Sequence, residues 1–112
     1  MAVIIVVSRP DRPQQDELFI EINRKLIFGN SMYCDVVLGD KMVANMQFEI
    51  LAAKTGHIIV KNLDAKKELH LNQARLLSLK KTSIKADDVL KVGPFVLRID
   101  PTKLTQEELA VL

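Results

Sequence analysis

The apolar residues of this chain come in short runs, and turn residues close nearly every one of them. That is the pattern of half-buried strands rather than of long amphipathic helices. Val3-Ile4-Ile5-Val6-Val7 is β-branched and is stopped by Ser8-Arg9-Pro10, with Pro13 close behind, so the chain turns between Ser8 and Asp16. Leu18 to Ile22 alternates apolar with polar, and Lys25-Leu26-Ile27-Phe28 follows after Asn23-Arg24. Val36-Val37-Leu38 is closed by Gly39-Asp40, after which Met46 to Ile50 alternates again. Further runs sit at Ile58 to Val60, Leu69 to Leu71, Leu76-Leu77 and Val89 to Val92, and Gly93-Pro94 introduces Phe95 to Ile99. Their near-regular spacing with polar turns predicts an all-β fold, an antiparallel β-sandwich of about ten to eleven strands. Only the tail at 102–112 departs from this, because Thr105 followed by Glu108 has capping-box spacing and predicts a short C-terminal helix reaching Val111.

A chain of 112 residues is long enough for one core and too short for two ordinary domains, so a single domain over 1–112 is expected. With 48% apolar residues, rich in Val, Ile and Leu, it offsets chain entropy without a disulfide or a metal. Sixteen Lys plus Arg against fourteen Asp plus Glu leave a net charge of only +2, too small to imply a polyanionic partner. Cys34 is the single cysteine and has no internal partner, which fits a reducing cytoplasm. The run Val3 to Val7 has no basic residues before it and is too short for a signal segment. Nothing in the chain approaches the ~18 apolar residues that span a bilayer.

The order and spacing of several pieces resemble the forkhead-associated (FHA) domain family over about 25–99. Gly29 stands at the family's Gly-Arg pair, Cys34-Asp35-Val36-Val37-Leu38 resembles its Cys-Asp-Ile-Val-Leu segment, and Asp40 falls in the following turn. Ile58 to Leu63 resembles the strand before the second recognition loop, and Leu71-Asn72-Gln73 its Val-Asn-Gly turn. Asp87-Asp88-Val89-Leu90-Lys91-Val92-Gly93 is similar to its Gly-Asp-Val-Ile-x-Ile-Gly segment. The resemblance implies an eleven-stranded sandwich whose apical loops read phosphothreonine, and a module that binds another protein or a peptide, phosphorylated or not. Self-association is compatible with it.

At the recognition positions the chain departs from the family. Asn30 replaces the Arg beside the first Gly, removing a forked, permanently charged phosphate donor. The family's Ser-x-x-His segment, whose Ser bonds phosphate and whose His orients the loop, corresponds to Ala44-Asn45-Met46-Gln47. Its second loop corresponds to Ala65-Lys66-Lys67-Glu68-Leu69. The candidate apical residues are therefore Asn30, Ser31, Ala44, Asn45, Lys66 and Lys67, with weak or no dependence on phosphothreonine expected. Two alternatives stand beside that reading. One is a rebuilt phosphate site in which Ser31, Asn45 and Lys66 take over the missing contacts. The other is a cytoplasmic scaffold domain of a secretion-system inner-membrane ring protein.

No catalytic, metal or cofactor site is expected. His57 and His70 have no second ligand at zinc spacing, Asp87 and Asp88 read as a turn before a strand rather than an acid pair, since adjacent strand residues face opposite sides, and four glycines leave little room for a phosphate loop. Arg75, Lys80, Lys81 and Lys85 form the densest basic cluster, but without tryptophan or a nearby tyrosine there is no stacking surface, and nucleic acid is not the expected partner.

Overall fold

A computed structural model describes residues 3–100, in which eleven strands form two facing sheets. The strands are β1 (Val3–Ser8), β2 (Leu18–Ile22), β3 (Leu26–Gly29), β4 (Val36–Val37), β5 (Phe48–Ala52), β6 (Ile58–Asn62), β7 (Leu69–Leu71), β8 (Ala74–Arg75), β9 (Lys81–Ile84), β10 (Leu90–Val92) and β11 (Phe95–Ile99). One sheet has the order β2-β1-β11-β10-β7-β8, the other β4-β3-β5-β6-β9. The all-β sandwich is as expected, with one correction to its pairing. β4 runs parallel to β3, Phe28 facing Val36, whereas the other strand pairings are antiparallel. The cause is the loop from Asn30 to Asp35, which doubles back before the chain rejoins the sheet edge instead of closing a hairpin.

Alternation places one side of each strand inward. Ile5, Ile22, Phe28, Phe48, Ile50, Val60, Leu90, Leu97 and Ile99 are buried in one continuous core between the sheets. Phe28 and Phe48 face each other across β3 and β5 with rings stacked at 4.8 Å. Leu38 and Val43, from the connection between β4 and β5, close the core at one end. That connection is thereby anchored by burial as well as by its backbone.

Two segments differ from the sequence expectation. Leu76-Leu77 is not a strand; it lies in the loop between β8 and β9, two strands whose mainly polar residues carry little apolar signal. Strand β5 begins at Phe48 rather than Met46, because Gln47 turns its side chain into the interior. The tail helix expected from Thr105 to Val111 lies outside the described residues.

Candidate functional site

Backbone bonds hold three loops together at one end of the sandwich. The Asn30 amide donates to the Ala44 carbonyl at 2.9 Å and the Ser31 amide to the Asn45 carbonyl at 3.1 Å, which locks the β3–β4 loop against the β4–β5 loop. The Leu63 amide reaches the Gln47 carbonyl at 2.8 Å and brings in the β6–β7 loop. Gly29 permits this approach. A Cβ on it would lie 2.2 Å from the Asn45 carbonyl oxygen.

Beneath these loops Gln47 is fully buried, with every polar atom of its amide engaged. Its Oε1 accepts from the Ala44 amide at 2.9 Å, while Nε2 donates to Asn62 Oδ1 at 3.2 Å and to the Lys67 carbonyl at 3.1 Å. Asn62, also buried, donates through Nδ2 to the Leu76 carbonyl at 2.8 Å. Gln47 thus takes the loop-orienting part that the resemblance gives to a histidine. One acceptor and two donors in a fixed planar group do this without a titrating proton.

Asp64 shapes the second loop. Its Oδ2 accepts the amides of Lys66 and Lys67 at 2.9 and 2.6 Å, a side-chain-capped turn that leaves both lysines exposed. Arg9 buttresses the first. Its side chain is only 7% exposed, and Nη2 lies 3.0 Å from Asp11 and 3.3 Å from Asp40, with the guanidinium 5.0 Å above the Phe95 ring. Asp40 in turn accepts the Met42 amide at 2.8 Å, so the start of the β4–β5 loop is held on both flanks. The hydrogen bond between Arg9 and Asp11 raises the arginine pKa and lowers that of the aspartate.

What results is an open cleft of about 420 Å3 lined by Asn30, Lys41, Val43, Ala44, Asn45, Asp64, Lys66 and Lys67. Five of the six residues singled out in the sequence meet there. Ser31 does not. Its hydroxyl accepts the Tyr33 amide at 3.2 Å, and it lines a separate cleft of about 240 Å3 with Ile27, Tyr33, Cys34, Asp35 and Met46. Lys41 was missed, although it lies in the loop already assigned to the apex, three residues before the segment compared with Ser-x-x-His. A neighbouring volume of about 510 Å3 shares Lys66 and Lys67. Each of the two volumes holding these lysines is lined by one carboxylate. Asp64 in the first is bonded to the Lys66 and Lys67 amides, Glu68 in the second lies 3.8 Å from Arg75 and 4.0 Å from His70, and only the first holds Asn30, Ala44 and Asn45.

The Asn30 cleft offers three ammonium groups, two carboxamides and the Asp64 carboxylate, whose Oδ2 is already bonded to the Lys66 and Lys67 amides, but neither guanidinium nor hydroxyl. Ammonium ions on flexible stems attract an anion without imposing the bidentate geometry that selects a phosphate. On the far side of the β3–β4 loop, Asp35 accepts the Ile27 amide at 2.7 Å and pairs with Arg24 at 3.1 Å, both of which lower its pKa. Cys34 is half-buried and donates to the Asn45 carbonyl at 3.0 Å. Burial pushes its thiol pKa up, so at neutral pH iodoacetamide should label it more slowly than free cysteine. Labelling as fast as free cysteine would mean that the thiol is open to solvent. Among the described residues no group of three or more His, Cys, Asp or Glu is placed to hold a metal ion.

The sequence matches, over residues 13–103, the Yop-YscD family described as the inner membrane component of T3SS, cytoplasmic domain. The chain belongs to this family. Its fold is that of an FHA domain, and solved FHA structures superpose on it at low identity. The FHA domain of CT664 from Chlamydia trachomatis does so with a TM-score of 0.73 and 14% identity over 88% of this chain and 96% of that one. The N-terminal FHA domain of Rad53p from S. cerevisiae, in complex with a phosphothreonine peptide, gives 0.72 and 17%, covering 88% and 95%. The FhaA FHA domain complexed with the intracellular domain of Rv3910 gives 0.69 and 15%, covering 88% and 99%. No match was found among curated proteins. Among the described residues of this Yop-YscD family member, no helix is long and apolar enough to cross a membrane.

Proposed function

We propose that this FHA-type interaction module binds an acidic segment of a partner protein through the cleft between Asn30, Lys41, Asn45, Lys66 and Lys67, with no requirement for phosphothreonine. On this reading it serves as an assembly domain in the cytoplasmic part of a secretion-system inner-membrane component. Binding rather than catalysis is its work. The observation that carries the reading is the state of Ala44. It stands where the resemblance puts the phosphate-binding serine, it is buried, and its amide is already committed to Gln47 at 2.9 Å. Neither its side chain nor its amide has a donor left for a phosphate.

Losing the Arg and Ser contacts removes about 1.5–3 kcal/mol each, or two to four orders of magnitude in affinity. Titration calorimetry with phosphothreonine peptides should accordingly show dissociation constants no tighter than about 100 μM. Replacing the phosphothreonine by glutamate within an acidic peptide should change affinity less than about tenfold. Micromolar binding that disappears on dephosphorylation would instead establish the second reading, a rebuilt phosphate site, which the convergence of Lys41, Lys66 and Lys67 on one cleft favours.

A further inference from the structure

The loop from Leu76 to Lys80, between β8 and β9, is pinned at several points yet exposes two leucines. The Leu76 carbonyl accepts from Asn62 Nδ2 at 2.8 Å, the Leu79 amide donates to the Asn62 carbonyl at 2.7 Å, and the Lys80 amide donates to the Leu77 carbonyl at 3.1 Å. Leu76 packs against the core, but Leu77 and Leu79 are 59% and 65% exposed. Leu79 also has φ +63°, a left-handed conformation that asparagine or glycine adopts at little cost and a bulky side chain seldom does. Neither core packing nor local conformation therefore accounts for leucine at this position.

The same loop is ringed by cations. Lys80 and Lys81 are exposed, and Lys81 faces Lys61 directly across the β6–β9 ladder, an arrangement of like charges that weakens the pairing. On its other side Lys61 faces Glu49, which lies 3.9 Å from Lys25. Two apolar tips beside three ammonium groups match a surface that is greasy below and anionic above.

We propose that this loop is a membrane-surface contact, in which Leu77 and Leu79 enter the headgroup boundary of an anionic bilayer and Lys61, Lys80 and Lys81 lie over its phosphates. A protein ligand of that apolar character would be expected to occupy a groove, and neither apical cleft is lined by Leu77 or Leu79. Exposed leucines on a loop need no groove to enter a soft interface. The contact shares no residue with the apical cleft, so it stands or falls apart from peptide binding there.

Sedimentation of the whole chain with vesicles of phosphatidylcholine containing about one-third phosphatidylglycerol tests this. Binding is expected to those vesicles, to weaken as salt rises, and to vanish with pure phosphatidylcholine. The Leu77→Ser/Leu79→Asn double variant should bind at least about fivefold less. Free glycerol phosphate should not compete, which separates a bilayer surface from a simple phosphate site. Leu79→Asn alone should melt at the same or a higher temperature, since asparagine suits the left-handed backbone. The proposal is overturned if the chain does not sediment, if the double variant binds as well as the parent, if glycerol phosphate displaces the chain, or if Leu79→Asn lowers the melting temperature. It is equally overturned if Lys66→Gln/Lys67→Gln abolishes sedimentation while the loop variant retains it. Loop variants that lose a protein partner in the absence of any vesicle binding would assign the leucines to a protein interface.

Discussion

Gly29→Ala should unfold this domain or leave it barely stable. The added Cβ would sit 2.2 Å from the Asn45 carbonyl oxygen, 2.8 Å from its carbon and 3.0 Å from the Ala44 carbonyl oxygen, all backbone atoms. No rotamer relieves such a contact, so the β4–β5 loop must retreat from β3. Retreat breaks the bonds from Asn30 to Ala44 and from Ser31 to Asn45, and it loosens Leu38, whose amide donates to the Gly29 carbonyl at 2.8 Å and whose side chain is fully buried. Overpacking together with two or three lost hydrogen bonds costs about 3–5 kcal/mol, a large share of the 5–15 kcal/mol typical of a domain. Chemical denaturation followed by circular dichroism measures it directly. A loss below about 1 kcal/mol would show that the loop yields freely and that the close approach is not a constraint.

The second large effect is expected at Gln47. In Gln47→Leu the volume is nearly kept, but the buried Ala44 amide loses its acceptor and the Lys67 carbonyl loses a donor. The orphaned buried amide costs about 1–3 kcal/mol and the part-buried carbonyl about 1 kcal/mol, so the variant should lose about 2–4 kcal/mol and melt roughly 8–16 °C lower. Asn62→Leu removes the other half of the network, and the double variant should lose less than the sum of the singles by 0.5 kcal/mol or more, a typical magnitude for groups in one network. Hydrogen exchange at the Ala44 amide is the local readout. Full additivity, or unchanged protection of that amide in Gln47→Leu, would mean that the two loops are ordered independently of the carboxamide pair.

How far the sequence disclosed this molecule depended on which physical signal each part carries. Strands β7 and β11 occur where Leu69 to Leu71 and Phe95 to Ile99 predict them, because their inward residues are large and apolar and their ends are marked by turn residues. Strands β8 and β9 escaped, since Ala74-Arg75 is exposed and Lys81 to Ile84 sends only Ile84 into the core, while the apolar pair Leu76-Leu77 advertised a strand that is a loop. At the site, Asn30 and Ala44 could be placed by comparison with a family pattern, and both line the cleft. Gln47 read only as a histidine that was missing. Its partners Asn62 and Lys67 are 15 and 20 residues away, and nothing local indicates that β5 and β6 bring them together. Ser31 was misplaced for a related reason. A loop that doubles back to form a parallel strand presents neighbouring residues to different clefts.

The ties between the β3–β4 and β4–β5 loops run from amide to carbonyl, and peptide groups are the same whatever side chains they carry. Asn30 and Asn45, which line the apical cleft, are thus held in place by parts of themselves that mutation, short of proline, leaves untouched. A lineage with this architecture has its recognition surface uncoupled from its folding. Substitution at Asn30 or Asn45 would change what the cleft presents while leaving these ties between the loops in place.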